Sequence, residues 1–371
     1  MDKEGQVTPT DRNPAGVVLV TGSSGFIGRA VVRRLSRTFR IVGFDREGGS
    51  THPPREAECV CMDLTSDDSV REAFERVRYA YGDRIACVVH LAAYYDFSGE
   101  PSPLYDEITV RGTGRLLRAL QAFNVEQFVF SSTMLVHAPC EPGERINEDW
   151  PLDPKWDYPR SKVATEDLIR RERGGISAVN LRIAGVYDDD CHSVPLANQI
   201  QRIYERTLTS KVFPGDISRG QSFVHLEDLV EALAKTVEAR RQLGPDETFL
   251  IGEPDTVSYD DLQRAFGRFI HGEEWETQSI SKTLAKAGAW LEDHVPGEEP
   301  FIKPWMIDLA DDHYALDIHR ARMTLGWEPK RFLRETLPNM VSALRADPLR
   351  FYKTNKLEAP AWLEHGVAPE R

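Results

Sequence analysis

Cysteine is scarce: the chain has five, an odd number. Cys59, Cys61, Cys87, Cys140 and Cys191 show no zinc-type pairing, so disulfide scaffolds and zinc modules are excluded and reduced thiols in a cytoplasmic protein are expected. Long hydrophobic runs are also missing. No stretch of roughly 18 uncharged apolar residues occurs, and residues 1–16 are polar, without the apolar segment of a secretion signal. No membrane partner is expected. Positive charge is in deficit: 46 Lys and Arg against 59 Asp and Glu give a net charge of −13. Such a field repels phosphate backbones and anionic lipid, so nucleic acid is not an expected partner. His271, His294, His313 and His319 lack metal-site spacing and read as surface or capping groups; no metal is expected. Repeats and low-complexity tracts are absent too. What is present is ordinary globular usage, 41% apolar and 28% charged over 371 residues. At about 150 residues per domain, that length allows one large domain or two modest ones.

Short apolar, β-branched runs alternate with helical patterns over the first half. Strands are predicted at 17–20, 40–44, 58–62, 86–91, 127–130 and 178–183, and helices at 66–79, 102–123 and 158–173. Ser66, with carboxylates just after it, signals a helix start. Continuous apolar strands separated by helices imply a parallel sheet covered on both faces. After Tyr187 the rhythm breaks into helices with a short strand at 223–225 and one more at 249–251.

Gly22, Gly25 and Gly28 fall between the first strand and the first helix. In that context glycines permit a tight turn and close approach of a pyrophosphate. Asp45 ends the second strand about 20 residues on, where a carboxylate accepts from adenosine ribose hydroxyls and repels a 2′-phosphate. NAD is therefore favoured over NADP, although Arg46 beside it could accommodate that phosphate. Asp63 suits the adenine amino group. Tyr158 and Lys162 lie four apart on one predicted helix face, so the ammonium can stabilise the phenolate and lower an ordinary pKa of about 10. Thr133, ending the run 130–133, could set a hydroxyl beside that phenol to hold a substrate oxygen; its alternative is strand-end capping.

Together these residues resemble the extended branch of the short-chain dehydrogenase/reductases, the NAD-dependent epimerase/dehydratase family. The resemblance rests on 21–28, Asp45, Asp63-Leu64, His90-Leu91-Ala92-Ala93, Ser131-Ser132-Thr133, Tyr158 to Lys162, Leu181-Arg182, Tyr187, 223–229 and Leu325 to Pro329, spanning about 17–345. It implies an α/β fold: a Rossmann-type doubly wound parallel sheet with a smaller, mostly helical substrate lobe. It also implies Tyr158 as general acid/base, Lys162 on the nicotinamide ribose, and Thr133 as the family's catalytic Ser/Thr. Phe26, Ile27, Leu64, Leu91, Ala92, Ala93, Ser131 and Ile183 would join the glycines and aspartates around NAD. Tyr94, Met134, His137, Arg219 and Gln221 are the substrate candidates, and a homodimer is the family expectation.

Departures from the family pattern narrow the chemistry. Met134-Leu135 follows Thr133 where 4,6-dehydratases carry Asp-Glu, and decarboxylases a glutamate, so both activities are disfavoured. Gln221 stands where nucleotide-sugar enzymes usually clamp the diphosphate with arginine; Arg219 lies two positions earlier. The expected function is hydride transfer at a secondary alcohol or ketone, of a sugar or sugar-nucleotide-like small molecule. A steroid- or flavonoid-type reductase is the alternative, favoured by Gln221 and by an apolar segment at 279–309 with Trp290 and Trp305, read as a lid or as helices packed on the body. A non-catalytic NAD-binding regulator is a third possibility. Expected boundaries are a flexible arm at 1–15, an NAD-binding domain at 16–190 with segments returned at about 221–252, a substrate lobe at 191–220 and 253–345, and a tail at 346–371, read as a strap on the body.

Overall fold

The computed structural model describes residues 15–48, 53–96, 99–286 and 304–364. The expected arm at 1–14, His294, Trp290 with most of the expected lid, and the end of the tail lie outside them. Seven parallel strands form the central sheet: β1 (Val17–Thr21), β2 (Arg40–Asp45), β3 (Glu58–Cys61), β4 (Cys87–His90), β5 (Gln127–Thr133), β6 (Ser177–Ile183) and β7 (Asp246–Ile251), in the order β7-β6-β5-β4-β1-β2-β3. The fold is the expected doubly wound α/β sheet. Strand alternation explains why these runs are apolar throughout: Val18 and Val20 enter one core and Leu19 the other, and Val129 opposes Phe128 and Phe130 in the same way. Helices α1 (Phe26–Leu35) and α6 (Leu226–Glu238) cover the first face; α2 (Asp67–Tyr81), α3 (Gly112–Leu120) and α4 (Asp157–Glu172) cover the second.

A third core holds the remaining elements. Here α5 (Val194–Tyr204) packs with α7 (Tyr259–His271) around Leu196, Ile200, Phe266 and Trp275. The chain after 346 is a strap: Phe351 and Tyr352 are buried in this core, Tyr352 donates to Glu205 at 2.7 Å, and Trp362 meets the Tyr204 ring. The five cysteines are free, and no described helix is long and apolar enough to cross a membrane.

Three expectations change. The helix expected over 102–123 begins as a wide π-type helix, Tyr105–Arg111, before the regular α3. Thr109 accepts from the Tyr94 amide at 3.0 Å, and Thr113 donates to the Thr109 carbonyl at 2.6 Å, so hydroxyls compete with the ordinary ladder. Phe223–His225 pairs with Gly185–Tyr187 outside the central sheet, whereas the strand expected at 249–251 begins at Asp246 and forms that sheet's edge. His313 is a core group, not a surface one: its ring accepts from the Gly220 amide at 3.2 Å.

The first turn sets the approach of α1 to β1. Gly22 has φ +69°, and a Cβ on Gly28 would stand 2.1 Å from the Gly22 carbonyl oxygen. Because backbone meets backbone there, no rotamer change relieves the overlap. Gly28→Ala should therefore lower stability by about 1–3 kcal/mol or more in urea unfolding; an unchanged midpoint would show that the turn can open freely.

Candidate active site

Polar groups can emerge from a sheet buried on both faces only where its strands end, and the site gathers at the C-terminal ends of β1, β4, β5 and β6. A cleft of about 730 Å³ runs from the glycine turn to the lobe. Gly22, Gly25, Phe26, Ile27 and Gly28 line one side; Leu91, Ala93, Ser131 and Ile183 form its floor; Thr133, Met134, Tyr158 and Lys162 stand at its centre. Helix α1 opens with no side-chain cap and no acid in its first turn, leaving its amides available to an anion. Asp45 is tied to the turn: its carboxylate accepts from the Ser24 amide at 2.8 Å and from the Arg46 amide at 3.1 Å. Arg46 and Asp63 are exposed, and Asp63 accepts from the amide and hydroxyl of Thr65, each at 2.8 Å. These features fit a dinucleotide: bare amides and crowded glycines for the pyrophosphate, and a carboxylate at the end of the second strand for the ribose.

Tyr158 and Lys162 share a face of α4, and both line the cleft together with Thr133. The Thr133 hydroxyl also accepts from the Leu135 amide at 3.3 Å, so the capping alternative is realised alongside. Lys162 donates to the Ser131 carbonyl at 2.7 Å and lies 5.5 Å from the centre of the Tyr158 ring. The expected acidic phenol is not what this geometry produces. Burial pushes the Tyr158 phenol up to about 12, against the pull of the Thr133 hydroxyl, and burial brings the Lys162 ammonium down to about 7, against the pull of Glu166. Desolvation penalises both charged forms.

Behind this pair lies a buried polar framework. Glu166, one helical turn beyond Lys162, takes two hydrogen bonds from Arg182 at 3.2 and 2.7 Å and one from the Ser132 hydroxyl. Arg182 also donates to His137 at 3.1 Å and to the Glu148 carbonyl at 2.9 Å. On the other side, the Ala92 amide donates to Thr21, leaving the Thr21 proton for His90 Nδ1 at 2.7 Å. His90 Nε2 then donates to Thr113 at 2.8 Å, and Thr113 to the Thr109 carbonyl. The chain runs one way and assigns a neutral His90 protonated on Nε2, in keeping with burial that brings its pKa down to about 3.

Several sequence candidates fall elsewhere. His137 is fully buried between Arg182 and the Trp150 carbonyl and faces no cleft, so it is a structural prop and not a substrate contact. Tyr94 packs edge-on against Tyr105; its neighbour Tyr95 reaches the cleft instead, with its ring 4.9 Å from that of Tyr158. Ala92 and Leu64 also stand outside the lining: Ala92 backs the turn at Gly22, and Leu64 packs over Gly112. Gln221 borders the cleft and a second chamber of about 260 Å³, which Arg219 also lines. Met306 and Leu309, from the described part of the expected lid, line both. Sequence reasoning missed His192, which stacks on Phe26 at 4.8 Å, and Asp312, at the junction of the two cavities. Neither sits in a motif, and long loops bring both into place. Among the described residues no group of three His, Cys, Asp or Glu is arranged to hold a metal ion.

Residues 18–252 match the model of the NAD dependent epimerase/dehydratase family. The chain is similar to a 3-beta-hydroxysteroid dehydrogenase of Mycolicibacterium neoaurum, 24% identical over 355 residues covering 89% of this chain and 93% of the relative. It is also similar to a UDP-glucose 4-epimerase of Mycolicibacterium smegmatis, 27% identical over 349 residues covering 88% and 98%. Among solved structures, the UDP-glucose 4-epimerase of Thermus thermophilus in complex with NAD superposes with a TM-score of 0.67 at 24% identity, covering 89% of this chain and 99% of that one, a likeness of fold.

The Glu166–Arg182 pair is the costliest feature to break, since removing one member strands a buried charge. Glu166→Gln should cost about 3–5 kcal/mol in urea unfolding, and adding Arg182→Met should recover most of it. Equal losses in the single and double variants would show that the two groups are uncoupled.

Proposed function

Because the chain belongs to the NAD-dependent epimerase/dehydratase family and is an enzyme of the extended short-chain dehydrogenase/reductase type, we propose that it transfers hydride at a secondary alcohol or ketone, with Tyr158 as acid/base. The observation that carries this reading is the convergence of Thr133, Tyr158 and Lys162 in the cleft that begins at the glycine turn. NAD, when bound, supplies the hydride acceptor or donor. Gly22, Gly25 and Gly28 would hold its pyrophosphate, Asp45 the adenosine ribose, and Lys162 the nicotinamide ribose. Thr133 holds the substrate oxygen, and the Tyr158 oxygen takes or returns its proton. The raised pKa keeps the Tyr158 phenol protonated, the form that donates to a developing alkoxide in ketone reduction, while making it a weaker acid than a free phenol. Proton removal in the reverse direction needs positive charge brought close to the phenol, which Lys162 carries whenever it is protonated.

On the substrate side, the second chamber supports a molecule with an apolar body. It is walled by Leu196, Phe213, Val257, Leu262 and Met306. Arg219, the residue nearest the missing diphosphate clamp, is occupied by Glu141 at 2.8 Å and Asp216 at 3.4 Å. Such a lining suits a hydroxysteroid-like ring system better than a nucleotide sugar. Sugar-nucleotide epimerisation is the second reading, favoured by the similarity to a UDP-glucose 4-epimerase. No dehydration follows from either, since Met134 and Leu135 offer no acid beside Thr133.

Tyr158→Phe should reduce turnover by roughly 10²–10⁴-fold while NAD affinity stays within about twofold, measured by NADH absorbance and calorimetry; full activity in that variant would defeat the mechanism. With NAD present, hydrophobic cyclic ketones should raise the melting temperature and UDP-sugars should not. The reverse pattern would select the epimerase reading.

A further inference from the structure

Two guanidinium groups line the second chamber, and they differ in one respect. Arg219 has two carboxylate partners. Arg202, on α5, has none among the described residues: it donates to the Tyr259 hydroxyl at 3.1 Å, and its Nε is buried without a partner. A half-buried cation whose side chain bonds only a neutral phenol has lost part of its hydration without gaining a counter-charge among the described residues. The carboxyl in the same chamber does not repair this. Asp312 makes no ion pair with Arg202, one of its oxygens is buried without a partner, and burial holds it above the usual carboxylate range. Tyr259 is itself locked by stacking on Phe213 at 4.0 Å, which fixes the hydroxyl that orients Arg202.

We propose that Arg202 is a specificity-determining residue that binds an anionic group, a carboxylate or a phosphate, at the end of the substrate remote from the reacting carbon. The substrate is then amphipathic: a secondary alcohol or ketone at Tyr158, an apolar body along Phe213 and Met306, and a negative terminus at Arg202. At a net charge of −13 the long-range field of the protein repels anions, so recognition of one has to be local. A guanidinium that lines the chamber and bonds only a phenol among the described residues provides it through charge-assisted hydrogen bonds. This deepens the function proposed above and rests on it for the identity of the reacting end only.

The test uses probes without an alcohol or ketone, so that it does not depend on turnover. The full chain with NAD is titrated calorimetrically with octanoate, octyl phosphate and octanamide, which share one chain length and differ in the head group. At least one anion should bind tenfold or more tighter than octanamide, and the stronger of the two identifies the source as carboxylate or phosphate. Arg202→Leu and Arg202→Gln should erase the difference, with NAD affinity and melting temperature close to wild type. Tyr259→Phe should preserve it, because the cation remains. Binding of octanamide as tight as that of both anions, an anion preference that survives both Arg202 variants, or no binding of either anion overturns the proposal. In that event a Tyr158→Phe variant that has lost turnover leaves the hydride-transfer reading standing, whereas a fully active one sinks that reading by itself.

Discussion

A sheet buried on both faces can show polar chemistry only at its strand ends, and the active cleft obeys that constraint. Thr21, Asp45, His90 and Thr133 each terminate a strand of this sheet, and each makes a polar contact at that end. Because the strands are parallel, those ends lie along one edge, so successive helical crossings bring distant parts of the chain to one groove. The interior of the strands contributes packing and the edge contributes function.

Desolvation then decides the protonation states along that edge. It lifts the Tyr158 phenol, lowers the Lys162 ammonium and holds His90 neutral. Where a partner is fixed an ion pair forms, as between Glu166 and Arg182 at 2.7 Å, which brace the helix that carries Tyr158 and Lys162. Along that edge the chain therefore presents neutral donors and a lysine that burial brings down to about 7. Asp312, also held above its usual range, extends the same character toward the second chamber.

The substrate lobe follows different rules. Its core is built from helices and a C-terminal strap, and its cavity wall comes from α5, the strand at 212–214 and residues 306–312. The last of these segments lies far along the chain from the first two, and no motif is common to them, so the lobe can change its lining without touching the residues at the strand ends. The pairing of Arg219 with Glu141 and Asp216, beside an Arg202 that bonds Tyr259 and has no carboxylate partner among the described residues, is a feature of that kind.

What the amino-acid order determined alone is whatever is local in the chain: apolar runs alternating with helices, glycines spaced for a turn, a carboxylate at the end of the second strand, and a tyrosine and lysine one helical turn apart. Those signals sufficed for the sheet and its cofactor. The tertiary structure alone decided the matters that depend on burial and on distant partners. It made the phenol weakly acidic, turned His137 into a prop for Arg182, exchanged Tyr94 for Tyr95, opened the helix at Thr109, and left Arg202 without a carboxylate among the described residues. Spacing along a chain reports which side chains share a face, but the cost of removing a charge from water is set by everything that closes around it, most of which lies far away in the sequence.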